Sequence, residues 1–135
     1  MNIVTDANVL ISSLIKEGKS IEILLNPLFS FYSPEFANEE FLEHGEEIIE
    51  KTHRSGEDFI EIFSQLKEII NFVKVDFYKE NLKEAANICS DKDDLDYFAL
   101  ALKLNCQIWS NDKRMKEQQR IRIYSTKDMA EEFNL

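Results

Sequence analysis

The sequence predicts a three-layer α/β/α domain on a central, mainly parallel sheet of about five strands. Three observations predict it. Short apolar strand-like runs alternate along the chain with longer stretches of helical period. Apolar strands separated by helices belong to parallel sheets covered on both faces. The 135 residues, 44% apolar with only 3 Gly and 2 Pro, suffice for one core and one domain over residues 1–135, and their composition is neither disordered nor fibrous.

The elements follow in order. Ile3-Val4-Thr5 reads as a short buried strand. Val9-Leu10-Ile11 and Leu14-Ile15 then recur at helical spacing until Gly18 stops them. A second short helix runs from 21 to 25, and residues 29–33 are aromatic and strand-like. Pro34, acceptable in a first turn, opens a long helix to about residue 52. Ser55 caps another over about 57–71, with Phe59, Ile62, Phe63, Leu66, Ile69 and Ile70 on one face. Residues 72–75 form a strand, 79–89 and 94–104 helices, 107–110 a strand, and Lys113 starts a short helix. Residues 121–124 are the last strand. Ser125 caps the terminal helix, with Asp128 three residues on as in a capping box.

Composition excludes several function classes. Cys89 and Cys106 are too few for a disulfide framework or a Cys-rich zinc site and read as free thiols, while His44 and His53 cannot make a His-rich one. No apolar run approaches the roughly 18 residues that span a bilayer, and the opening residues lack the basic stretch of a signal peptide, so a soluble, cytoplasmic protein without membrane partners is expected. The net charge of -10 is unlike that of a general nucleic-acid binder. Yet residues 103–127 carry Lys103, Lys113, Arg114, Lys116, Arg120, Arg122 and Lys127 against Asp112 and Glu117, a local basic excess. That segment is compatible with one polyanion contact or with ordinary solvated charges.

The acids are more informative. Ligands of open parallel sheets bind beyond the carboxyl ends of the strands. Asp6 directly follows the first strand and Asp112 follows Ile108-Trp109-Ser110 by two residues. Either alone reads equally well as a helix N-cap. On a helical wheel from Asp94, Phe98 falls near 40°, Leu102 near 80° and Ala101 near 340°, so Asp94 lies on an apolar flank while Asp96 shares the polar stripe with Lys103. A carboxylate on an apolar face is costly unless paired or bound to a cation, and Asp93 is the natural cap, which leaves Asp94 as the functional candidate. Glu40 borders the apolar stripe of its helix more weakly. Its neighbour Glu39 is the alternative, disfavoured because it falls with Glu43, Glu46 and Glu50 on the solvated face. Gly-rich phosphate loops, Gly-x-Ser-x-Gly elbows and Cys-x-x-Cys pairs are missing from the sequence. An all-oxygen carboxylate cluster selects Mg²⁺ or Mn²⁺, and such a centre typically activates water against a phosphodiester.

Four segments now resemble one family. Val4-Thr5-Asp6-Ala7-Asn8-Val9-Leu10-Ile11-Ser12-Ser13-Leu14 resembles the opening motif of PIN-domain nucleases, and Phe36-Ala37-Asn38-Glu39-Glu40-Phe41 their glutamate-bearing helix start. Asp93-Asp94-Leu95-Asp96-Tyr97-Phe98-Ala99-Leu100-Ala101-Leu102 is similar to their third motif and Ile108-Trp109-Ser110-Asn111-Asp112-Lys113 to the fourth. Each motif is weak alone; together, in order and across the chain, they are specific.

The resemblance implies a metal-dependent ribonuclease for single-stranded RNA. By motif its acids correspond to Asp6, Glu40, Asp94 and Asp112, with Asn8 and Ser110 supporting them. Small members of this length resemble VapC-type toxins, which cleave tRNA or rRNA, are silenced by an antitoxin protein and commonly dimerise. Lys113, Arg114 and Lys116 are the first candidates for phosphate contacts. Three other readings stand beside it: a non-catalytic PIN module that binds RNA or protein, a housekeeping RNA-processing nuclease, and a metal-dependent phosphatase for small phosphoesters.

Overall fold

The computed structural model describes residues 1–15 and 18–135. Five strands form one sheet among these residues: β1 (Asn2–Thr5), β2 (Ser30–Pro34), β3 (Ile70–Val73), β4 (Gln107–Trp109) and β5 (Ile123–Tyr124). Their order is β3-β2-β1-β4-β5 and the pairings are parallel, with Val4 opposite Tyr32 on one side and Ile108 on the other. The chain therefore winds outward from β1 to β3, then returns to lay β4 against the free side of β1. The reversal between β1 and β4 opens a crevice at their carboxyl ends.

Alternation of side chains along the strands divides the core in two. Ile3, Phe31, Trp109 and Tyr124 face one cluster with α1 (Ala7–Ile15), α2 (Lys19–Leu24), α4 (Gly45–Thr52), α5 (Gly56–Ile69) and α9 (Thr126–Glu132). Val4, Ile108 and Ile123 face the other with α7 (Leu82–Ile88) and α8 (Leu95–Leu104). Ile3, Val4 and Thr5 are wholly buried, as a central strand of a three-layer domain must be. The predicted fold class is the one observed.

Several boundaries differ from the sequence expectation. The long helix over 34–52 is two, α3 (Glu35–Glu43) and α4, broken at His44. At that bend a Cβ on Gly45 would lie 3.0 Å from two ring atoms of Phe59, so the bare glycine lets the α5 ring close on the backbone. Phe59 in turn stacks on Phe41, centroid to centroid 5.6 Å. The strand expected at 72–75 starts at Ile70, straight out of α5, because pairing of Ile70 with Phe31 overrides the helical period. The helix expected over 79–89 is a 3₁₀ turn (Lys79–Asn81) and α7, and an unexpected short helix, α6 (Val75–Tyr78), precedes them. Strands β4 and β5 are each shorter than expected.

The expected caps of α5 and α9 are present. Ser55 Oγ accepts from Asp58 N at 3.1 Å, and Ser125 forms a reciprocal capping box with Asp128. Ser125→Ala should cost about 1 kcal/mol, a loss a urea titration resolves.

Candidate active site

The crevice between β1 and β4 collects the acids. Asp6 lies one residue beyond β1, and its backbone N–H donates to Trp109 O at 3.1 Å, carrying the ladder one step past the strand. It is 5% exposed. Oδ1 accepts from Asn8 N at 3.0 Å, as an N-cap would, while Oδ2 accepts from Ser110 Oγ at 2.7 Å. The capping reading of Asp6 is therefore met by Oδ1, while Oδ2 is held by Ser110 across the crevice. Ser110 Oγ also accepts from Asp112 N at 3.1 Å, so one buried hydroxyl ties the loop after β4 to the carboxylate after β1. Burial, and less strongly the charge of Asp112, push the Asp6 carboxyl above its ordinary pKa against the two hydrogen bonds that lower it.

Asp112 caps the 3₁₀ turn Lys113–Glu117, accepting from Arg114 N at 3.0 Å. The Arg114 guanidinium folds back on it, with Nη2 3.3 Å from Oδ2, and reaches Asp91 at 3.4 Å. Hydrogen bonding from Arg114 holds Asp112 below the usual carboxylate range.

Asp94 differs from its sequence reading in local setting. It is not inside the helix with Asp93 as cap. A 3₁₀ turn (Lys92–Asp94) precedes α8, Asp91 caps that turn through Asp93 N at 2.9 Å, and Asp94 takes the N-cap position of α8. Its side chain makes no capping bond, which leaves both oxygens for the crevice. Burial first, then the charges of Asp112, Asp91 and Asp6, raise its carboxyl to about 6. Glu40 is half-buried on α3 and is raised by burial and then by Asp6, whereas Glu39 is exposed. Asp6 is thus within electrostatic reach of Glu40, Asp94 and Asp112, and Asp94 of Asp112, while Glu40 meets only Asp6 among the predicted acids.

The supporting residues divide. Ser110 acts through its hydroxyl, whereas Asn8 acts through its backbone N–H while its side chain lines a hollow of about 250 Å³ with Asp6, Asp112 and Arg114. Of the predicted cations, Arg114 stands at the acids. Lys116 is committed to Asp128 at 2.5 Å, and Lys113 is exposed. One residue was given no role in the sequence reading, where it stands only within the third motif. Tyr97 is buried on α8, its hydroxyl oxygen accepts from Ala7 N at 3.2 Å, and its ring meets Phe36 edge-on. It pins the first residue of α1 to α8, and so Asp6 to the helix that begins at Asp94. Its signal was a phenol one helical turn after a candidate acid.

Among the described residues, no three His, Cys, Asp or Glu side chains stand close enough to hold a metal ion as they lie. The donor chemistry nevertheless fits a hard divalent cation. The set is carboxylate oxygen throughout, and Asp6, Glu40 and Asp94 are each raised by burial, with Asp6 repelling the other two, a cost that such a cation would relieve.

The raised Asp94 carboxyl makes a prediction. A folded pKa near 6 against an ordinary 3.8 means that its stabilising contribution is complete below pH 3.8 and is lost as pH rises through 6. Asp94→Asn should be more stable than wild type at pH 7, by about 1 kcal/mol after allowance for solvent screening. The gap should close near pH 4, read by urea denaturation in EDTA.

A parallel sheet with carboxylates at its switch point defines an α/β protein with an acidic crevice. The profile of the PIN domain matches residues 4–132, and the chain belongs to that family, a family of nucleases. Among solved structures it is similar to VapBC2 from Rickettsia felis bound to a DNA fragment from their promoter, at 13% identity and a TM-score of 0.65, over 93% of this chain and 98% of that one. That likeness is one of fold. No curated protein matches the chain. No helix among the described residues is long and apolar enough to cross a membrane.

Proposed function

We propose that this chain is a Mg²⁺- or Mn²⁺-dependent endoribonuclease, the toxin of a toxin–antitoxin pair. The observation that carries the reading is the Ser110 hydroxyl, which joins Asp6 to the backbone of Asp112 at the sheet's switch point, with Asp94 uncapped beside them. The PIN-domain match supports nuclease chemistry, and the likeness to the VapBC2 complex supports an antitoxin partner. The substrate is single-stranded RNA, tRNA or rRNA, cut in the cytoplasm by a single-domain chain acting as a homodimer.

Asp6, Glu40 and Asp94 would hold the cation, and Asp112 would complete the set or hold a second ion. A divalent cation there lowers the pKa of a water and neutralises charge on the phosphodiester. The chain's own residues do the rest. Asn8 N and Ser110 Oγ each hold one oxygen of Asp6, fixing the carboxylate plane. Arg114 steadies Asp112, and its guanidinium, shared between Asp112 and Asp91, is the cation that a phosphate would meet beside the acids. Asp94 would have to be ionised to hold a cation, so affinity for the metal is expected to rise with pH through about 6.

A panel of tRNA, rRNA and single-stranded RNA incubated with Mn²⁺, Mg²⁺ or EDTA tests the proposal. Cutting that EDTA abolishes is expected. No cutting, with a melting temperature indifferent to Mn²⁺, would favour the non-catalytic module. Cleavage of a small aryl phosphate in place of RNA would favour the phosphatase.

A further inference from the structure

Beside Asp94 the crevice continues into a second hollow of about 180 Å³, between the end of α7, the start of α8 and the 3₁₀ turn after β4. Its floor is apolar, formed by Ile88, Phe98 and Met115. Its rim is polar, with Asp94, the Arg114 guanidinium and Glu117. Arg114 also lines the hollow that contains Asp6 and Asp112, so the two spaces meet at that side chain. The wall is held in shape by Gln118. Its amide donates to Met115 O at 3.0 Å and Ile121 O at 2.7 Å and accepts from Ile121 N at 2.8 Å. A cavity smaller than the roughly 300–1,000 Å³ of sites for drug-sized ligands takes a single flat ring system.

We propose that this slot receives one unpaired nucleobase next to the scissile phosphodiester and favours bases that carry an exocyclic amino group. The inference rests on reading the acids as an RNA-cleaving centre. Single-stranded RNA can turn a base out of the stack, and an apolar floor buries its ring face without asking which base it is. The phosphate joined to that base then lies at Arg114, between slot and acids. Selectivity comes from Glu117, which is exposed and makes no hydrogen bond or ion pair among the described residues. A carboxylate only accepts hydrogen bonds, so it pairs with the amino groups of adenine, cytosine or guanine. Uracil has no amino group to offer it, and its one donor, N3–H, stands between two carbonyl oxygens that repel a carboxylate.

Cys89, partly exposed on the slot wall, reports occupancy without catalysis, and Cys106 lines a different hollow and serves as reference. With adenosine or cytidine as probe, alkylation of Cys89 should slow several-fold while that of Cys106 does not change. Uridine should protect less, and Glu117→Ala, which removes the acceptor, should erase the difference. No protection of Cys89 by any nucleoside overturns the slot. In parallel, RNAs differing only in the base beside the cut should be cleaved about 5–10-fold faster when that base carries an amino group, the worth of one added hydrogen bond. Equal cleavage of all four overturns the selectivity. If Mn²⁺ supports no cleavage at all, the ribonuclease reading fails while Cys89 protection still decides the slot.

Discussion

Asp6→Asn is expected to reduce Mn²⁺-dependent RNA cleavage by about 10³-fold or more, the several kcal/mol of charge stabilisation that a bound cation supplies. The fold should not suffer. The amide oxygen can still accept from Asn8 N, and the Ser110 hydroxyl can rotate to accept from the new amide. Burial is what raises the Asp6 carboxyl, so a neutral group of the same shape removes a cost from the interior. The melting temperature in EDTA should accordingly match or exceed that of wild type, while the rise on adding Mn²⁺ disappears. Loss of cutting with an undiminished apo fold is the expected signature. Mn²⁺-dependent cleavage unchanged in the variant would remove Asp6 from the chemistry.

Trp109→Ala should produce the largest loss of stability, about 3–5 kcal/mol, since the indole is wholly buried. For a domain of this size that is a fall of about 10–20 °C in Tm. The residue sits on β4 between β1 and β5, its ring lies 5.7 Å from that of Phe31, and Nε1 donates to Thr126 Oγ1 at 3.1 Å. It also fixes where Ser110 leaves the strand, so truncation should loosen Asp6 and Asp112 together. Trp109→Phe fills most of the space and should lose much less. Thr126 would keep its bonds to Asn111, which donates to Oγ1 at 3.0 Å and accepts from Thr126 N at 2.8 Å. Thermal denaturation of the two variants side by side separates packing from the indole hydrogen bond.

What could be read from the chain was local or periodic. Ile3-Val4-Thr5 and Ile108-Trp109 announced strands buried on both faces, and that alone set Asp6 and Asp112 at the carboxyl edge of a parallel sheet. The caps at Ser55 and Ser125 were legible because a cap and its partner lie three residues apart. Asp94 was reached by a wheel argument whose premise was partly mistaken. The residue stands at the N-cap rather than within the helix, yet its side chain makes no capping bond there. The unread features depend on distant contacts. The break at His44 falls where the Phe59 ring closes on Gly45, and the early start of β3 comes from pairing with β2. The role of Tyr97 depends on Ala7, 90 residues away. Charge counting could not tell Arg114, folded onto Asp112, from Lys116, turned to Asp128.

Direct titration of Mn²⁺ into wild type and into Asp6→Asn, Glu40→Gln, Asp94→Asn and Asp112→Asn tests the central claim, that four carboxylates from separate elements form one cation centre. Calorimetry should show binding to wild type with release of protons near pH 6–7 and a loss of affinity of about tenfold or more in each variant, roughly 1.4 kcal/mol or more apiece. Absence of binding to wild type, or binding that survives each substitution unchanged, would contradict it.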